Sequence, residues 1–117
     1  MRAIRIDMEK KTVTEVELDS TDTLKALQEQ VGGLITTAHC LENGDDIYCD
    51  DEGLLKHQEG FFRYERVSPP CVGNGIIVGH DGHGRTVAAK STLEDIQKAI
   101  VFMDSAEALM YAKQEGY

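Results

Sequence analysis

The 117-residue chain carries 21 Asp and Glu against 12 Lys and Arg, a formal charge of −9, and 41% of its residues are hydrophobic. That length fits one domain spanning residues 1–117, large enough to bury about two-thirds of the unfolded chain's surface without help from a metal or disulfide. The acidic balance excludes a phosphate backbone or an anionic membrane surface as the target and suits a basic protein partner.

Residues 2–18 read as a β-hairpin. Ile4 and Ile6 alternate with Ala3 and Arg5, and Thr14, Val16 and Leu18 alternate with Val13, Glu15 and Glu17. A period of two marks strands with one buried and one wet face. Met8-Glu9-Lys10-Lys11 is short enough to join them antiparallel. Asp19-Ser20-Thr21-Asp22 then offers N-cap oxygens to orphan backbone donors. Leu24, Leu27 and Val31 recur at helical spacing, and Gly32-Gly33 ends a helix placed at 22–31. Strands follow at 34–39 and 46–50, joined through the Asn-Gly turn Glu42-Asn43-Gly44-Asp45. Asp50-Asp51-Glu52-Gly53 turns again, and Leu54-Leu55-Lys56 reads as a short strand.

Residues 57–72 are the least regular stretch and hold Phe61, Phe62, Tyr64 and Pro69-Pro70. Ile76-Ile77-Val78 is a buried-strand run. A glycine turn at Asp81-Gly82-His83-Gly84 returns Thr86-Val87-Ala88-Ala89, completing a hairpin over 75–90. Ser91-Thr92-Leu93-Glu94 matches a capping box in which Ser91 and Glu94 satisfy two backbone donors. Leu93, Ile96, Ile100 and Met103 form one apolar stripe, so a helix or helix pair is expected over 92–115. The sum is an α+β fold: a mainly antiparallel sheet with helix 22–31 and the C-terminal helices packed on it.

Several chemistries fail on spacing. His80 and His83 flank Asp81 in a turn, but no Cys-x-x-Cys accompanies them, so a solvated turn is the better reading than zinc. Asp45, Asp46, Asp50, Asp51 and Glu52 are dense yet lack the alternation of a calcium loop. Gly73-Asn74-Gly75 precedes a strand, whereas a phosphate-gripping loop follows one and opens a helix. No metal and no cofactor is therefore expected. Met1 to Asp7 lacks a signal-peptide run, and nothing approaches the ~20 apolar residues of a bilayer span. A bacterial cytoplasm is the expected compartment, with Cys40, Cys49 and Cys71 as thiols.

Four patterns in order carry a resemblance: Arg2-Ala3-Ile4-Arg5-Ile6-Asp7 leading to Lys11-Thr12-Val13-Thr14-Glu15-Val16; Leu24 through Leu27 to Val31-Gly32-Gly33; Asp51-Glu52-Gly53-Leu54-Leu55-Lys56; and Gly73-Asn74-Gly75-Ile76-Ile77-Val78-Gly79. Together they resemble, over about residues 1–100, a family of small phage, plasmid and bacterial proteins known only as a domain of unknown function. The resemblance supplies no catalytic residues. It implies a mobile-element setting, where small acidic proteins act by binding host machinery.

The expected function is thus a non-enzymatic protein-binding role, in its sharpest form inhibition of a host defence or nucleic-acid-binding complex. Its partner would be a basic host protein, with no direct nucleic-acid or membrane contact. Glu15, Glu17, Asp45, Asp46, Asp50, Asp51 and Glu52 are the candidate acidic face, although Arg2, Arg5, Lys10 and Lys11 interrupt it. Phe61, Phe62 and Tyr64 are candidate aromatic anchors, or else rings that fill a core without tryptophan. An uncovered strand edge would also allow a homodimer. The alternatives are a small thiol enzyme using Cys71 with a histidine, a metal-dependent regulator using His80 and His83, and an acidic housekeeping domain.

Overall fold

A computed structural model describes residues 1–50, 61–65 and 71–103. The alternating N-terminal segment forms β1 (Arg2–Asp7) and β2 (Thr12–Glu17), and α1 (Thr23–Val31) follows. The Asn-Gly hairpin gives β3 (Ile35–Cys40) and β4 (Asp45–Asp50). Two short strands, β5 (Phe61–Tyr64) and β6 (Cys71–Val72), precede β7 (Gly75–His80) and β8 (Thr86–Val87). The described chain ends with α2 (Leu93–Ala99) running into β9 (Ile100–Met103). This is the expected α+β class. Leu54 to Lys56 lies outside the described residues.

The main sheet has the order β2-β1-β7-β4-β3, with β8 also on β7, and every pairing is antiparallel. β7 occupies the centre because Ile76-Ile77-Val78 can be buried on both faces, and each is 1% exposed or less. The expected wet face is absent. Ala3, Ile76 and Val78 pack with Ala26, Leu27 and Val31 beneath α1. On the opposite face, Ile4, Ile6, Ile47 and Ile77 pack with Phe62, Ile96 and Ile100. Ala3 is as buried as Ile4 because each face has its own cover. α1 turns Ala26, Leu27 and Val31 inward, whereas Leu24, expected on the buried stripe, is 56% exposed.

The cover of the second face is a three-stranded sheet, β6-β5-β9, together with α2. Part of the segment expected to be irregular is therefore strand. Phe62 is the link between the two sheets. Its ring lies where a side chain on Gly75 would be, within 2.6 Å of an added Cβ. The C-terminal helix is also shorter than expected over 92–115. It stops at Ala99, and Ile100 to Met103 pair with Tyr64 to Phe61 of β5. The run Ile100-Val101-Phe102 is β-branched and aromatic, and it gains a full strand partner by leaving the helix. The rest of the expected helical span lies outside the described residues.

The capping box is also displaced by one residue. Thr92 is the N-cap of α2, accepting from the Asp95 N–H at 3.1 Å. Ser91 turns inward instead, to the carboxylate of Asp45, which has no exposure to water. Asp45 Oδ2 accepts from Ser91 Oγ at 2.7 Å and from the Ser91 N–H at 2.8 Å. The Lys90 N–H is shared between Oδ1 at 2.9 Å and Oδ2 at 3.0 Å. The Asn43 amide donates to Ser91 Oγ at 2.9 Å, and Asn43 Oδ1 accepts from the Asp45 N–H at the same distance. Gly79 leaves room for this network, since a Cβ there would lie 3.0 Å from Asp45 Oδ1 and 2.8 Å from the Ala88 carbonyl. The network clamps the β3–β4 turn to the segment that enters α2.

Asp45→Ala strips two backbone N–H groups and a hydroxyl of their buried acceptor. Chemical denaturation should show a loss of about 3 kcal/mol or more, while Ser91→Ala, which leaves both N–H bonds in place, should cost about half as much or less. Lys11 ends the first hairpin turn at a φ of 53°, a conformation that strains any residue with a Cβ. Lys11→Gly should raise stability by about 0.5–1 kcal/mol in the same assay.

Candidate functional site

The clamp between residues 43–45 and 90–91 leaves an open cleft of about 740 Å³ beside it, between the β3–β4 turn, the end of β5 and the start of α2. His39, Glu42, Tyr64, Glu65, Lys90 and Asp95 are among its lining residues. A cleft of this size is in the range that ligand-binding sites occupy.

His39 reaches the cleft through a break in strand register. Thr37 pairs with Tyr48, but His39 pairs with Ile47, so Ala38 is the extra residue of a bulge. Cross-strand partners share a face, and Tyr48 and Ile47 lie on opposite faces of the sheet. In a regular strand His39 would follow Thr37 onto the α1 side; the bulge moves it to the side of β5. There its ring stacks on Tyr64, centroids 5.3 Å apart with 30° between the planes. Both rings are partly exposed.

Tyr64 closes β5, and Glu65 follows with a φ of 50°. The Glu65 N–H donates to the Ala99 carbonyl at 2.7 Å, which fixes this corner on the end of α2. Glu42 comes from the hairpin turn, and Asp95 from the first turn of α2, where a carboxylate also favours the helix N-terminus. Burial pushes the Tyr64 phenol above its ordinary value, and the charges of Glu65, Glu42 and Asp95 push it further, with a hydrogen bond to Glu65 in the same direction. Three carboxylates from three separate segments thus act on one aromatic group. Lys90 stands apart from them: its ammonium donates to the His80 carbonyl at 3.3 Å.

The residues singled out from sequence are distributed differently. Asp45, Asp46 and Asp50 are buried, at 0%, 7% and 4% exposure, so they do not form part of an open acidic face. Charge usually means solvent, but β4 is covered on both sides. Glu15 and Glu17 are exposed on the edge strand β2, but Glu15 pairs with Arg2 and Glu17 with the N-terminal ammonium at 2.9 Å. Asp51 and Glu52 lie outside the described residues. Phe62 is a core residue at 1% exposure, Phe61 is partly buried on β5, and Tyr64 alone of the three aromatics lines the cleft. His39, Glu42, Glu65 and Asp95 were not singled out. The Asn-Gly turn and the helix start place Glu42 and Asp95 at exposed corners, whereas no local signal announces the bulge that moves His39.

The other chemistry-bearing groups have structural partners. His80 Nδ1 lies 2.8 Å from Asp46 Oδ2. The Cys40 thiol also hydrogen-bonds to Asp46, which pushes it above its ordinary value. His83 lies in the β7–β8 turn, where its backbone N–H, not its ring, donates to Asp81 Oδ1 at 2.8 Å. Among the described residues, no three His, Cys, Asp or Glu side chains gather as metal ligands. Cys71 is 5% exposed, and its hydrogen bond with Cys49 together with burial pushes its thiol far above the ordinary range. No described helix is long and apolar enough to cross a membrane.

The family described as Domain of unknown function (DUF3846) matches residues 1–101. No curated protein and no solved structure matches the chain.

The raised Cys71 has a consequence for stability. The folded state holds a proton that the unfolded chain releases in the ordinary thiol range, about pH 8.5. The stabilisation is complete below that range and is lost as pH rises through and beyond it. Denaturation followed from pH 7 to 10 should show falling stability, and Cys71→Ala should flatten that slope whatever its effect at pH 7.

Proposed function

Given that the chain belongs to the family Domain of unknown function (DUF3846), whose description assigns no activity, we propose that the protein is a non-enzymatic binding protein whose cleft takes a basic segment of a partner protein. The cleft carries this reading. Glu42, Glu65 and Asp95 line it, with one lysine among the described lining residues, turned aside to a backbone carbonyl. Their field acts in a concave, half-apolar setting, where attraction for a cation is less screened than on an open surface. The net charge of −9 adds long-range steering toward a basic partner.

In the finer form of the proposal the partner is a host defence or nucleic-acid-binding complex and the protein acts in a bacterial cytoplasm, in a phage or mobile-element setting. The buried Asp45, Asp46 and Asp50 give little support to an acidic face on β4, so the cleft takes the place of that face. The thiol-enzyme alternative has no support at Cys71, whose thiol is buried and held in its unreactive protonated form.

Affinity capture from host lysate at low ionic strength should retain a basic protein that is released as salt approaches about 0.5 M. The variant carrying Glu42→Gln, Glu65→Asn and Asp95→Asn should lose it. Asparagine is chosen at position 65 because it tolerates the left-handed backbone. Retention of the same protein by the triple variant, or indifference to salt, would sink the proposal.

A further inference from the structure

Resting on the basic-partner reading above, we infer that the cleft receives an arginine side chain in particular, its guanidinium laid over the stacked His39–Tyr64 rings with the carboxylates of Glu42, Glu65 and Asp95 around it. Three separate observations meet at this place. The first is concavity: the cleft holds about 740 Å³, room for one long side chain and its backbone neighbours. The second is an aromatic wall, since His39 and Tyr64, stacked on each other, both line the cleft, and both residues keep part of their surface exposed. The third is charge, because among the described residues the lining carboxylates outnumber the lining lysine three to one.

Charge alone would suit lysine and arginine equally. The wall distinguishes them. A guanidinium is planar, weakly hydrated and able to stack on a ring while its N–H groups fork toward carboxylates at its edge. An ammonium is a compact point charge that holds its water more tightly and gains less from a flat surface. A nucleic acid is excluded by the same carboxylates, which repel phosphates.

The bulge at Ala38 supports the assignment. It costs β3 its regular register at one residue, and its effect is to bring an imidazole against Tyr64. The Asp45–Ser91 clamp fixes the backbone beside Glu42 and the start of α2 that carries Asp95, so those two positions are set before a ligand arrives.

The test is an NMR titration of the full chain at low salt with two basic peptides that differ at one central position, arginine or lysine. The arginine peptide should bind about fivefold tighter, and ring resonances of His39 and Tyr64 should shift on binding. Tyr64→Phe should keep the preference, whereas His39→Leu and Tyr64→Leu should abolish it while leaving weaker, salt-sensitive binding of both peptides. Two leucine variants are needed because Tyr64 also touches the core, and either one that folds decides the point. Equal affinity for the two peptides would overturn the arginine assignment and leave the basic-partner reading standing. Shifts confined to the Glu15–Glu17 strand would overturn the assignment by placing the site elsewhere. Absence of binding by both peptides would overturn it too, and the lysate capture then decides separately whether the broader reading survives.

Discussion

A carboxylate with no exposure to water must be given hydrogen-bond donors, and meeting that demand at Asp45 organises this protein. The residue begins β4 and takes its donors from Lys90 and Ser91, forty-five and forty-six positions away in the chain. Removing its hydration is costly, and only a fixed set of N–H and O–H groups offsets that cost. Because the donors sit at the entrance to α2, the helix cannot shift without leaving the charge unsatisfied. The same contact therefore fixes the β3–β4 turn, the helix start and the cleft between them.

The second organising fact is that the central sheet is covered on both faces by different means. α1 packs over one side, and the small sheet with α2 packs over the other. Rings and thiols that sequence alone offers as reactive or adhesive are largely used in that second interface. Phe62 fills the space over Gly75, and Cys71 meets Cys49. What remains accessible is the seam where the cover ends, and it is there that Tyr64, Glu65 and Asp95 emerge. The proposed binding role follows from this division between groups consumed by packing and groups left at the seam.

Much of the architecture was legible because it depends on neighbours in sequence. Alternation at Ile4 and Ile6, the cap at Asp22, the Asn-Gly turn and the run at Ile76 each specify local structure through local sterics. The misreadings occur where a distant partner decides. Ile100 and Met103 fit a helical stripe, but strand β5 recruits them. Ser91 fits a capping box, but Asp45 claims its hydroxyl and Thr92 caps instead. Acidic residues on β4 looked like surface because charge usually means solvent, and they are buried. The cleft was half visible: its corners follow from the turn and the cap, while the His39 wall follows from a one-residue bulge without a sequence signature.

The position of β7 has a consequence for how the protein comes into being. β1 precedes the other strands of the sheet, yet its inner neighbour is β7, and β4 waits for the same strand. Until β7 has been made, neither the β1–β2 nor the β3–β4 hairpin has its partner on the inner flank, and each leaves unpaired backbone there. Assembly of the sheet thus waits for β7 and depends on pairings distant in sequence, an arrangement that slows folding. Each open flank is a ready template for mispairing in that interval.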